Sequence, residues 1–495
     1  MKDSRPPIIH LTAAAALGVS AALLLMALRV HSAISFSEPL MVAASGAEEE
    51  GVLGIIRAME GLTYTDPFRI PFVASYYNWL FYDFYAAIGR FFLGRFGLDL
   101  IWLPTVGRFA TLAGIALGFI LTLQAALAVD PAATGLRLVY RRLLAASLAI
   151  GPLVGFWALS INPEIWATAL AIGCAALIMR GYDKAPFFSV FLACLLSLLA
   201  WSFKQSVVFP ALAMGLFLLI RRDWRCLSLA IALHLAGVGA TLALGGEAYR
   251  KMLFIQADVP MAWWQFQNNI LNLSLKATPF VAGAVLAALF LRRKHFQDTP
   301  GLFVLCGTLV SLLTIPMSAK IGAAENYFFL LVFFLAMVTL RLTAVFCISG
   351  WPRGAMAFMS GAWLAQMAAC LAVVFGLQGV SSVAPLHARN QAQRTCVADL
   401  PSPMFSMQPY PTLPWMHAEG PAFLISYNYY MDRQKGLPFE ENGVGGLIAK
   451  GWFASIVMPK GMHDFDGARL EDNYALAKEG CAGLDVFLLK PAPRP

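Results

Sequence analysis

Charge is what this chain has least of. Charged residues make up 13% of its 495 positions, against about 25% in a soluble domain, and that excludes an ordinary water-soluble globular protein. Cysteine is also sparse: eight are scattered along the chain, and no Cys-rich or His-rich set calls for a metal. No cofactor is therefore expected, although a divalent cation held by carboxylate oxygens stays open. The formal net charge of +8 would invite a nucleic-acid reading, but the Lys and Arg residues fall in short loops between apolar runs. That placement reports membrane topology, not a polyanion site.

Hydrophobic residues, by contrast, reach 59%, with a mean hydropathy of +0.67. Apolar stretches long enough to cross a bilayer core recur near 8–28, 104–128, 142–159, 165–180, 186–202, 205–220, 226–245, 274–291, 300–317, 327–346 and 355–377. Lys2 and Arg5, then Arg137, Arg141 and Arg142, Arg180 and Lys184, Arg221, Arg222 and Arg225, Arg292, Arg293 and Lys294, and Arg341 and Arg353 all thread to one side. By the positive-inside rule that side is the cytoplasm. The expected fold is an α-helical polytopic membrane protein of about 11 transmembrane helices, with its N-terminus in and its C-terminus out. It divides at about residue 377 into a transmembrane domain (1–377) and a small extracytoplasmic α/β domain (378–495).

The first outer loop, 29–103, is long. Counting its aromatic run Tyr76–Tyr85 as a span would invert every later loop, so the run is expected to lie along the outer interface as a helix. Glu48–Glu60 is expected to be a second such helix, ending at Gly61. In the tail, strands are expected at Ala422–Tyr427, Ala454–Met458 and Leu484–Leu489, with a helix at Leu470–Glu479. Cys396 and Cys481, alone in a tail placed in an oxidising compartment, are expected to form a disulfide; two buried thiols are the alternative.

The outer side collects Glu48, Glu49, Glu50, Asp66, Glu164, Lys204, Lys320, Glu325 and Asn326. Ionisable groups near membrane depth are costly to desolvate and point to function. A carboxylate facing a cavity can deprotonate an acceptor, and a lysine at the bilayer edge can hold a lipid-linked phosphate. Each also has a plain structural explanation. The three glutamates suit a helix first turn, Glu164 follows Pro163 at a helix start, the lysines can snorkel, and Asp66-Pro67 can be a turn.

In order and placement these motifs resemble the GT-C superfamily of polyprenyl-phosphate-sugar-dependent glycosyltransferases, which includes protein O-mannosyltransferases and aminoarabinose transferases. Glu49-Glu50-Gly51 stands where that family carries an acidic pair after its first span. Gly61–Pro67 resembles the following Gly-x-x-Tyr-x-Asp turn, and Pro71–Tyr85 the interfacial helix. Asn162-Pro163-Glu164, Phe203-Lys204-Gln205, and Ser318–Gly322 with Asn326-Tyr327 match its second acidic loop and its two lysine-bearing segments. The resemblance covers about 8–377. It implies an inverting transfer from a polyprenyl-phosphate sugar to an extracytoplasmic lipid, glycan or protein, in the inner (plasma) membrane with the active site facing the periplasm or exterior. Glu49 and Glu50, with Glu48 and Glu164, are then the catalytic candidates. Asp66, Lys204, Lys320, Asn326 and Tyr327 are the substrate-binding ones, joined by Trp263 and Trp264 as a possible cover for lipid or acceptor. Because the family's usual Asp is a Glu here, the choice among Glu48, Glu49 and Glu50 stays open. Two other classes compete: a transporter or flippase, against which stands the lack of a convincing internal repeat, and a non-catalytic envelope assembly protein.

Overall fold

The computed structural model describes residues 6–35, 42–255, 259–377, 380–407, 422–423 and 427–491; Lys2 and Arg5 lie outside them. Among the described residues eight helices are long and apolar enough to cross a membrane: Ile8–His31, Leu100–Val129, Glu164–Gly181, Pro186–Phe203, Trp224–Leu244, Thr299–Met317, Glu325–Ser349 and Arg353–Phe375. A ninth is formed if Trp263–Lys276 and Thr278–Phe290, bent by 89° at their junction, are counted as one. The remaining apolar runs make shorter helices. Phe209–Arg221 has 13 residues. The run 142–159 breaks where Gly151, extended at φ −62° and ψ 171°, precedes Pro152, because a residue before proline is driven out of the helical region.

The chain packs as two compact units that do not follow chain order. The first comprises Met1–His31, Phe109–Leu244 and Asp258–Gly379; the second comprises Ser32–Arg108, Gly245–Ala257 and Val380–Pro495. The first is a bundle of apolar helices, in which Glu164–Gly181 and Pro186–Phe203 pack side by side.

The second unit holds both expected loop helices, Val42–Met59 (α1 here) and Trp79–Phe96 (α2). Gly61, at φ 79°, lies just beyond the first. Asn78 caps α2, its Oδ1 accepting from the Trp79 amide at 2.9 Å, and left-handed Gly97 closes it. The two helices approach closely because Gly54 faces the Tyr82 ring, where a Cβ would collide. Phe91, Phe92 and Phe96 remain exposed along α2, the apolar face an interfacial helix requires.

The tail supplies a five-stranded mixed sheet from β1 (Met404–Ser406), β2 (Ala422–Phe423), β3 (Ser455–Pro459), β4 (Tyr474–Cys481) and β5 (Leu484–Leu489), in the order β2-β1-β3-β5-β4. β1 runs parallel to β2 and β3, and β5 runs antiparallel to β3 and β4. Phe405, Ile456, Met458 and Phe487 form a core with Val444, Leu447 and Ile448 of the Gly443–Ala449 helix. Phe72 of the first loop is buried in that same core, with Phe68 and Ile70 packed against it. Main chain follows side chain: Glu440 N donates to Phe68 O at 2.9 Å.

One sequence expectation fails here. Leu470–Glu479 is not a helix: only Leu470–Asn473 makes a helical turn, and Tyr474 begins an edge strand. Its Ala, Leu, Lys and Glu residues favour helix intrinsically, but pairing of Ala475 and Leu476 with Leu488 and Phe487 overrides that preference. Of the expected strand Ala422–Tyr427, Ala422–Phe423 is strand and Tyr427 opens the helix Tyr427–Gln434; residues 424–426 lie outside those described.

Candidate active site

The candidate polar side chains fall in both units. In the second unit, Glu48, Glu49 and Glu50 share α1, yet their surroundings separate them. Glu48 is buried and accepts two hydrogen bonds from Arg108, from Nε and Nη2, each at 2.9 Å. A fork-to-fork pair of this kind holds its carboxylate in a fixed orientation. Glu49 is half-buried. Its burial, followed by the charges of Glu48 and Glu50, pushes its carboxyl up to about 8. A carboxyl so placed exchanges its proton near neutral pH, as a general base must. Sequence reasoning passed over Arg108, although a visible signal existed: it is the one charged residue in the apolar run 104–128.

The turn after α1 is closely braced. Arg57 donates to Thr65 Oγ1 at 2.5 Å, and the Tyr64 hydroxyl donates to the Tyr77 carbonyl at 2.8 Å. Asp66 accepts from the Phe68 amide at 3.0 Å and from Lys251 at 3.1 Å. Partial burial works against its carboxylate, but the Phe68 amide and Lys251 hold Asp66 below its ordinary range. Asp66 thus performs turn chemistry and carries an ion pair as well. In the tail of this unit Cys396 and Cys481 are joined as a disulfide.

The first unit brings together Glu164, Lys204, Asn326 and Tyr327, four candidates from three separate stretches of sequence. Glu164 opens its helix but does more than cap it. Lys204 forms an ion pair with its Oε1, and Asn326 Nδ2 donates to the same oxygen at 2.6 Å. The Lys204 ammonium also lies 5.0 Å from the centre of the Tyr327 ring, within cation–π range. These side chains line a small cavity with Thr168 and Ser206. The second Glu164 oxygen, Asn326 Oδ1 and both amide atoms of Asn162 are buried without a hydrogen-bond partner among the described residues. Buried polar atoms left this way are where a ligand hydroxyl or an ordered water belongs.

Lys320 lies in the loop between Met317 and Glu325, half-buried, and burial together with the Lys204 charge lowers its pKa. Glu325 is engaged by Lys276 as an ion pair. Trp263 and Trp264 are 69% and 61% exposed, so they are not core residues; Trp263 stacks on Phe266 at 5.0 Å. Among the described residues no three His, Cys, Asp or Glu side chains are grouped as a metal site.

No protein-family model matches the chain, and neither does any curated protein. Solved structures do. ArnT from Cupriavidus metallidurans bound to undecaprenyl phosphate is 14% identical, covering 96% of this chain and 99% of its own, with a TM-score of 0.55. Its apo state gives 13% identity and a TM-score of 0.56 over 95% of this chain and 99% of its own. The oligosaccharyltransferase AglB from Archaeoglobus fulgidus, in complex with an inhibitory peptide and a dolichol-phosphate, is 12% identical over 90% of this chain and 69% of its own, with a TM-score of 0.54. At such identities the likeness is one of fold. The chain is a multi-pass membrane protein that shares the fold of these structures, and the match includes the tail as well as the helices.

Proposed function

We propose that this protein is an integral-membrane glycosyltransferase that moves a sugar from a polyprenyl phosphate to an extracytoplasmic lipid, glycan or protein. Glu49 is the general base. It removes the proton from the acceptor hydroxyl as that oxygen bonds to the anomeric carbon. The bond from that carbon to phosphate breaks, and polyprenyl phosphate leaves with the electron pair, inverting the centre. Lys320 holds the phosphate as a point charge. Lys204, fixed by Glu164 and Asn326, sets the field around it, and Tyr327 and Asp66 complete the substrate contacts. Trp263 and Trp264 meet lipid or acceptor at the outer interface. Glu50 stands beside the base. In this reading Glu48 keeps Arg108 company and does not react.

The observation that carries the reading is Glu49, a half-buried carboxyl raised to about 8 on the helix that follows the first span, in a chain with this fold. Supporting it are the undecaprenyl phosphate and dolichol-phosphate bound by two of the similar structures. Placement in the inner membrane with the site outward rests on the Lys and Arg distribution. No metal is required, because phosphate is already a good leaving group and a lysine meets its charge.

The test is transfer of radiolabel from a panel of polyprenyl-phosphate sugars by purified full-length protein, with and without EDTA, beside Glu49→Gln and Lys320→Ala. Transfer by the wild type, lost in Glu49→Gln and reduced about tenfold or more in Lys320→Ala, supports the reading. Loss of transfer in EDTA would put a cation into the mechanism. No transfer from any donor by folded protein would favour a transporter, for which the 89° break at Ala277 would be the structural starting point.

A further inference from the structure

The loop that carries Lys320 has turn hydrogen bonds of its own, Lys320 N to Met317 O at 3.2 Å and Ala323 N to Lys320 O at 2.9 Å, and it is also held from elsewhere. Its backbone is gripped from outside by the Trp263–Lys276 helix, which precedes it by some forty residues of chain. Asn269 is 1% exposed, and its Nδ2 donates to Ser318 O at 2.8 Å and to Ala323 O at 3.1 Å. Gln265, one helical turn earlier and 8% exposed, donates to Ala323 O at 2.6 Å. The segment leading into the helix adds main-chain bonds: Met261 and Lys320 form an antiparallel bridge, with Ala262 N to Ala319 O at 2.7 Å and Ile321 N to Pro260 O at 2.9 Å. At the far end Lys276 pairs with Glu325. Both flanks of Lys320 are therefore tied to one helix.

That helix has two faces. Gln265, Asn269 and Leu273, at spacings of four, are buried toward the loop. Trp264, Leu271 and Leu275 are 61%, 59% and 54% exposed on the other side, beside Trp263. Such a helix, turned by 89° from the apolar helix that follows, has the pattern of one lying in the membrane interface. Buried amides donating to loop carbonyls are costly to lose: without Asn269, Ser318 O loses its side-chain donor and Ala323 O one of two.

We propose that the Trp263–Lys276 helix is the positioning element for Lys320, and that Gln265 and Asn269 act through it to set affinity for the phosphate of a polyprenyl-phosphate ligand. The inference rests on the phosphate-holding role of Lys320. The amides touch loop carbonyls, not substrate, so they are positioning residues. Their effect must pass through the lysine, and that makes it separable from a general loss of packing.

The experiment measures binding of undecaprenyl phosphate, with undecaprenol as the uncharged control, to purified full-length protein in nanodiscs. Lys320→Ala is expected to weaken undecaprenyl phosphate binding about tenfold, and Asn269→Leu about fivefold, neither altering undecaprenol binding. In the double variant Asn269→Leu adds less than about twofold to Lys320→Ala, because interacting residues are non-additive. Asn269→Ser with Gln265→Leu is the second route if Asn269→Leu misfolds. Multiplication of the two effects, or an equal loss for undecaprenol, overturns the positioning role while leaving Lys320 in place. Unchanged binding in Lys320→Ala overturns the phosphate reading itself, and the inference with it.

Discussion

Glu48 and Glu49 are neighbours in sequence with opposite fates, and their surroundings explain both. Arg108 meets Glu48 with both arms of its guanidinium, whereas Glu49 bears burial and the repulsion of Glu48 and Glu50. If the deprotonated Glu49 is the base, transfer should rise with pH and reach half its maximum near 8; a flat pH–rate profile between 6 and 9 would remove the assignment. Glu49→Gln should lower kcat by about 10²- to 10⁴-fold. The same variant should not be less stable. A carboxyl whose folded pKa lies above its unfolded value contributes stability at low pH and loses it as pH rises through the folded value. Above pH 8, thermal unfolding should find Glu49→Gln at least as stable as the wild type. Arg108→Ala is expected to do the reverse, costing about 3–5 kcal/mol by stranding a buried carboxylate. Adding Glu48→Gln should recover part of that in denaturant unfolding, and a double variant no better than the single would mean the pair is not what Arg108 stabilises.

At the level of elements, the first loop is closely braced, and its helix α2 is capped at both ends. Asn78 accepts from the Trp79 amide and, at 2.5 Å, from the Tyr249 hydroxyl. One oxygen thus starts α2 and ties it to the helix Gly246–Ile255. Asn78→Ala should cost about 2 kcal/mol and increase hydrogen exchange in the first turn of α2; unchanged exchange there would show the cap to be dispensable. Both loop helices were legible from sequence, because a charged, aromatic-rich run cannot be a span without inverting every loop after it. The strand at Tyr474–Cys481 was not. Its residues are good helix formers, and the partner that makes them a strand, Leu484–Leu489, acts through pairing that no local pattern records. Its register shifts between Leu476 and Lys478 and between Lys478 and Cys481 mark it as a sheet edge. The clamp on Lys320 was legible only in part: Gln265 and Asn269 stand four residues apart in the sequence, but which carbonyls they would meet was not written there.

For the whole molecule, the disulfide Cys396–Cys481 closes a sequence separation of 85 residues across the sheet domain. Reduction should lower the stability of that domain by about 2–4 kcal/mol, seen as a lower Tm in dithiothreitol; an unchanged Tm would mean the bond adds nothing to folding. Composition and run length alone determined that the chain is a polytopic helical membrane protein, since neither depends on what lies beside what. The spacing of charges likewise carries the expectation of which loops share a side. Tertiary structure decided the rest. It put Phe72 of the first loop into the core of the tail, gathered Glu164, Lys204 and Asn326 from far-apart segments, and separated Glu49 from Glu48. Each of these depends on a partner far away in sequence, and desolvation and pairing, unlike helical periodicity, are set by that partner rather than by neighbours along the chain.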